Sequence, residues 1–201
     1  MKLGRTLLGA VAAISLALPA AAEKIPLSAV SAYLNQLETA QAQFTQVNGD
    51  GSVSTGTFFL KRPGRMRFEY NPPEDSMVIA GGGSLAVFDP RSNDGPARYL
   101  LSETPLKIIL QANVNLSQAR MVTQHREDGV KTIVRAQDPD HPEYGHIDMV
   151  FTNDPVQLRQ WVVTDNTGTQ TTMVLGELKQ GVRVPNRLFN IIAETEAWQK
   201  R

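Results

Sequence analysis

The stretch Thr55–Pro73, TGTFFLKRPGRMRFEYNPP, constrains this chain more than any other. Phe58, Leu60 and Arg62 fall on one face of a first strand, with Thr57, Phe59 and Lys61 on the other. Met66, Phe68 and Tyr70 share a face of a second strand, opposite Arg65, Arg67 and Glu69. Such a period of two predicts half-buried antiparallel strands. Pro63-Gly64 supplies the turn, and Pro72-Pro73 ends the second strand because proline cannot donate to a ladder. Arg62 breaks the pattern: a charge at the end of an apolar face is costly unless it finds acceptors. Alternation places Arg65 and Arg67 on a solvated outer face, although with Lys61 they would also suit an anionic lipid or an acidic partner.

The flanking sequence continues in the same style. Asn48-Gly49-Asp50-Gly51, Gly81–Gly83 and Asp165-Asn166-Thr167-Gly168 are turn signals between short apolar runs, among them Met77–Ala80, Leu85–Phe88, Ile147–Phe151, Leu158–Thr164 and Thr171–Leu175. Arg98–Leu101, Met121-Val122 and Thr132–Val134 add further strands, while Phe189–Ile192 reads as a last strand or edge and Ala193–Arg201 as a fraying polar tail. Two segments are helical. Pro26–Thr39 carries Leu27, Val30, Leu34 and Leu37 on one face, with Pro26 at the first helical position. Thr104–Gln111 begins with Thr104 as N-cap and Pro105, and its Leu106, Ile109 and Leu110 form a stripe with Ile108 off it. A helix of two turns is unstable alone, so this one lies on something apolar, either as a permanent connector or as a lid. Many short strands with frequent turns predict a mainly β fold: an unclosed antiparallel barrel or strongly curved sheet, with the helices covering its inner face.

Signals for catalysis are weak. His125, His141 and His146 lack the spacing of a helical zinc site. Gly82-Gly83-Ser84-Leu85-Ala86 ends in alanine where a nucleophile elbow needs glycine, and no helix pattern follows it. Asp138-Pro139-Asp140 and Glu127-Asp128 read as solvated loop carboxylates rather than calcium ligands. There is no phosphate-binding glycine loop and no cysteine, which excludes thiolate chemistry and disulfides. The chain is therefore expected to be neither an enzyme nor a holder of metal or cofactor. A net charge of zero argues against nucleic acid as a partner.

Residues 1–22 read as a secretory signal peptide: Lys2 and Arg5, an apolar run from Leu7 to Leu18, then Ala20-Ala21-Ala22 as the cleavage site. An uncleaved anchor is the alternative, disfavoured by the short apolar run. Residues 23–201 are then one exported domain.

Lys61-Arg62-Pro63, followed by the aromatic strand ending in Tyr70-Asn71-Pro72-Pro73, resembles the outer-membrane lipoprotein carrier family, the periplasmic LolA type. Phe44-Thr45-Gln46, Gly81–Leu85 and Thr104-Pro105-Leu106 match the same family in order and spacing. The resemblance implies an unclosed barrel with a helical lid over an apolar cavity that shields acyl chains. The chain would act as a periplasmic monomer, taking acylated lipoproteins from an inner-membrane transporter of the ATP-binding type to an outer-membrane acceptor. On that reading Phe44, Phe58, Leu60, Met66, Phe68, Tyr70, Met149, Phe151 and Trp161 line the cavity, and Leu106, Ile109 and Leu110 belong to the lid. Met66 is also placed to meet the transporter. Arg62 falls on the family's functional arginine, implying a latch that bonds backbone carbonyls of the lid and governs release; a structural ion pair is the plainer alternative. One departure is the tail, where Ile191-Ile192-Ala193 leads directly into charged residues and puts tail-dependent retention of cargo in question. A lipid-sensing module on the same scaffold is the alternative function. The physical need is clear: at ~0.8 kcal/mol per methylene, exposing one sixteen-carbon chain costs on the order of 13 kcal/mol.

Overall fold

The computed structural model describes residues 23–117 and 120–200; the leader expected at residues 1–22 lies outside them. Helix α1 (Leu27–Gln36) precedes strands β1 (Thr39–Val47), β2 (Val53–Lys61), β3 (Arg65–Tyr70), β4 (Met77–Gly81), β5 (Ser84–Phe88) and β6 (Ala97–Leu100). A 3-10 turn (Leu101–Glu103) and helix α2 (Lys107–Leu110) interrupt the strands. Then come β7 (Val122–Asp128), β8 (Lys131–Gln137), β9 (His146–Asn153), β10 (Val156–Thr164), β11 (Gln170–Leu175) and β12 (Lys179–Gln180). A 3-10 turn (Pro142–Tyr144) joins β8 to β9, and another (Asn186–Phe189) precedes the last helix, α3 (Ile191–Trp198).

All strands join one 12-stranded sheet in the order β6-β5-β4-β3-β2-β1-β11-β10-β9-β8-β7, with β12 beside β1. Every pairing is antiparallel, and β6 and β7 are its two ends, so the barrel is unclosed as expected. In the β2–β3 hairpin Phe58 stands opposite Phe68 and Leu60 opposite Met66, so the residues read as one apolar face do share it across both strands. Gly56 is needed where β2 and β3 meet: a Cβ there would lie 2.0 Å from the Glu69 carbonyl oxygen and 2.8 Å from the Phe44 ring.

The concave face gathers the principal core. Val30, Leu34 and Leu37 of α1 and its cap pack there against Phe44, Phe58, Phe151 and Trp161. The helix is shorter than predicted. Pro26 stands outside it as N-cap, Leu37 is its C-cap, and Thr39 already pairs with Lys61 in the sheet. The Glu38 carbonyl accepts from the Arg62 amide at 2.8 Å, which fastens the helix end to the hairpin turn.

A second, smaller core lies on the convex face. Met77, Ile79, Ala86 and Phe88 of β4 and β5 pack against Val184, Phe189 and Ile191. This corrects the expected fraying tail and last strand. Asn190 caps α3 by accepting from the Ala193 amide at 3.1 Å, and Ile191, Glu194, Thr195 and Trp198 turn one face inward. Trp198 reaches Phe88 with ring centroids 5.4 Å apart. Gly81 permits the approach, because a Cβ there would lie 2.4 Å from the Phe189 carbonyl oxygen.

Candidate lid and apolar interior

The residues expected to line a cavity are brought together on the concave face. Phe44, Phe58, Leu60, Met66, Phe68, Met149, Phe151 and Trp161 are buried in one cluster, with Tyr70 packed against it half-buried. The rings meet directly: Phe58 lies 5.1 Å from Phe68 and 5.7 Å from Trp161, and Phe44 lies 5.3 Å from Phe68. All of these residues except Tyr70 are less than 5% exposed. Tyr70 brings the one hydroxyl, which donates to Gln46 Oε1 at 2.5 Å; burial pushes its pKa up to about 12, despite that hydrogen bond. The phenol therefore stays neutral at physiological pH.

Helix α2 is the innermost covering. Ile108, Ile109 and Leu110 are all buried, while Leu106 is only partly so. The predicted stripe therefore needs correcting: Ile108 is inside with the others. Of this single turn only Lys107 reaches solvent, and Ile108, Ile109 and Leu110 are all inside. Thr104 does not cap α2, since its hydroxyl donates to the Leu101 carbonyl at 2.9 Å, closing the preceding 3-10 turn; Leu106 holds the cap position.

Arg62 joins the hairpin turn to both helices. The residue is 8% exposed. Nη1 donates to the Leu34 carbonyl at the end of α1. Nη2 donates to the Gln111 carbonyl at 2.6 Å, just past the lid, with Ala112 O and Asn35 Oδ1 each at 3.5 Å. The Gly64 amide adds a bond to the Leu110 carbonyl at 2.8 Å. These acceptors are neutral, and Nε is buried with no partner. Burial depresses the Arg62 pKa, against the opposing charge of Glu38. The carbonyl-bonding arrangement is the one present, and no carboxylate pairs with Arg62 among the described residues.

The lid is tied at two further places. Asn35 exchanges a reciprocal pair of hydrogen bonds with Val114, at 3.0 and 2.8 Å. At the other end of α2, Lys107 Nζ forms a short ion pair with Asp138. This overturns the expected solvated role of Asp138, which is mostly buried. Glu127 and Asp128 are likewise not loop residues; they end β7, and both are exposed. Where the sheet fails to close, a cleft of about 400 Å³ opens beside the lid, lined by Leu85, Tyr99, Leu100, Pro105, Leu106, Tyr144 and Val163 among others.

The outer face of the hairpin differs from expectation. Arg67 is buried under the C-terminal segment, where it pairs with Glu69 at 2.7 Å and Glu194 at 2.9 Å and donates to the Leu188 carbonyl. Lys61 donates to the Val184 carbonyl at 3.0 Å and Arg65 to Asn186 Oδ1 at 3.1 Å. The alternation rule assigned these cations to the correct face. It missed the segment that covers that face. The signal was present in Asn190 followed by Ile191, Glu194, Thr195 and Trp198, an N-cap with helical spacing.

Comparison with known proteins places these features in context. A family model described as outer membrane lipoprotein carrier protein LolA matches residues 35–192. An outer-membrane lipoprotein carrier protein of Methylococcus capsulatus is 27% identical over 176 residues, covering 84% of each chain. One from Azotobacter vinelandii is 27% identical over 175 residues, covering 82% of this chain and 80% of its own. Among solved structures, a LolA superfamily protein from Nitrosomonas europaea aligns with a TM-score of 0.45 at 11% identity, covering 83% of this chain and 98% of its own.

Proposed function

The chain belongs to the outer-membrane lipoprotein carrier family, and on that premise we propose that it shields the acyl chains of lipoproteins in the periplasm. It receives them from an ATP-driven inner-membrane transporter and yields them to an outer-membrane acceptor. The leader at residues 1–22 would export it. No reaction is catalysed, and the energy for direction comes from the partners.

The observation that carries this reading is the lid. Helix α2 fills the apolar interior with Ile108, Ile109 and Leu110, yet its carbonyl end is fastened by a guanidinium with neutral acceptors. A packed interior suits a reversible carrier. An arriving acyl chain would take the place of the lid's own aliphatic side chains, lying against Phe44, Phe58, Leu60, Met66, Phe68, Tyr70, Met149, Phe151 and Trp161. Burial gained by the cargo is then offset by burial lost from the lid and by the Arg62 hydrogen bonds that must open. The net affinity is a difference, small enough for the cargo to leave.

The test is native mass spectrometry of the protein purified gently from the periplasm. Mass increments matching acylated polypeptides are expected. A preparation that carries none, and that also fails to take up a fluorescent fatty acid, would overturn the assignment.

A further inference from the structure

An acylated lipoprotein is hydrocarbon joined covalently to polypeptide. If the hydrocarbon enters the interior, the polypeptide must leave it where the sheet does not close. Strand β6 (Ala97–Leu100) is the end of the sheet beside the lid cleft. All of its residues are exposed, Tyr99 and Leu100 each at 54%. Both side chains line the cleft, together with Leu85 and Leu106, which pack on the inner core.

The backbone of β6 has a free side. The Leu101 amide donates to the Gly83 carbonyl at 3.0 Å, and Leu85 lies opposite Tyr99. Because antiparallel pairs alternate, Tyr99 and Ala97 exchange hydrogen bonds with β5, while the N–H and C=O of Arg98 and the N–H of Leu100 point away from the sheet; the Leu100 carbonyl, at the cap of the 3-10 turn Leu101–Glu103, belongs to that turn. No proline, bulge or covering segment blunts this edge among the described residues. An open edge of this kind is a template for an extended chain.

We infer that β6 receives the extended polypeptide segment following the acylated end of the cargo, as an added strand paired with Arg98 and Leu100. This rests on the carrier reading above. Backbone pairing would recognise any sequence, which suits a carrier of many cargoes. The apolar walls beside Tyr99 and Leu100 would accept small or apolar side chains.

The test compares two probes on the purified protein: a palmitoylated neutral hexapeptide and palmitoyl ethanolamide. The hexapeptide is expected to bind about tenfold more tightly, the scale of a net gain of one or two backbone hydrogen bonds. Leu100→Pro removes the outward N–H at a residue whose φ of −74° already suits proline. In that variant the affinity ratio should fall from about tenfold to about one, whereas Leu100→Ala, which keeps the N–H, should retain most of it. Amide hydrogen exchange provides a reading that needs no variant: Arg98 and Leu100 should gain protection with the acylated hexapeptide and not with the ethanolamide. Equal affinity of the two probes for the unaltered protein, or a full ratio in Leu100→Pro with no added protection, overturns the inference while leaving the carrier reading intact. Binding of neither probe overturns both.

Discussion

Arg62 and Arg67 lie on opposite faces of one hairpin and are almost equally hidden, at 8% and 6% exposure. Their surroundings differ in kind. Arg67 faces Glu69 and Glu194 at 2.7 and 2.9 Å, and its charge is neutralised where it stands. Arg62 bonds backbone carbonyls and leaves Nε without a partner. A buried cation with carboxylates is costly to disturb, because removing one member strands the other. A cation bonded to carbonyls can be withdrawn and rehydrated, leaving no counter-charge behind. The outer fastening would therefore be the harder to undo, and the inner one the easier, as the proposed lid opening requires.

The largest effect expected from this contrast is on the outer face. Arg67→Leu removes the buried cation that faces both Glu69 and Glu194 beneath the C-terminal segment. A loss of about 3 kcal/mol in unfolding free energy is expected, at the low end for a broken buried pair because Glu69 is partly solvated. Urea unfolding measures it. The double variant Arg67→Leu with Glu194→Gln should recover part of the loss. If the single variant is as stable as the parent, the outer ion pairs are ornamental and the contrast fails.

Arg62→Leu is expected to change stability far less, by about 1 kcal/mol, since it removes a costly buried charge along with its hydrogen bonds. Its effect falls on transfer. On the proposed carrier reading, Arg62 would regain its bonds to Leu34 and Gln111 when cargo departs, so those bonds would favour release. Without them the loaded state is favoured and delivery to acceptor membranes should stall, while uptake of a fluorescent fatty acid persists. Normal delivery by this variant would remove Arg62 from the cycle.

The hairpin and its two faces were legible because alternation and turn chemistry agree over Thr55–Pro73, with no competing pattern. The odd status of Arg62 was visible for the same reason: one charge interrupting a face of Phe58 and Leu60. The placement of α2 was less legible. A stripe on a helical wheel assumes a solvent side, and Ile108 has none once the turn is wedged inside. The fate of Arg67 and Asp138 was out of reach by local reading. Their partners, Glu194 and Lys107, are distant in sequence and meet them only after the sheet has curved.

Lys107 and Asp138 offer a third fastening, intermediate between the two arginines, and the finest test of the contrast. Asp138 is held below the usual carboxylate range: burial would raise its pKa, but hydrogen bonds from Lys107 Nζ and the Asp140 amide, with the charges of Lys107 and His141, outweigh it. A carboxyl depressed in the folded state binds its proton more readily when unfolded. Its contribution to stability is therefore complete above the ordinary aspartate value near ~3.9 and is lost as pH falls through the lower folded value. Near neutrality the pair is fully made, so the lid is not opened there by modest acidification. Asp50, Asp89, Glu143 and Asp165 are also depressed and titrate in the same region, so only a difference between proteins isolates this site. Asp138→Asn should cost about 0.5–1 kcal/mol at pH 7, given that Lys107 is 34% exposed, and the deficit should shrink toward zero below pH ~4. Fatty-acid uptake should quicken slightly, because one edge of the lid is freed while Arg62 still holds the other. A deficit that stays constant down to strong acid would mean that the carboxylate's charge contributes nothing to holding α2, leaving the lid to its apolar packing and Arg62.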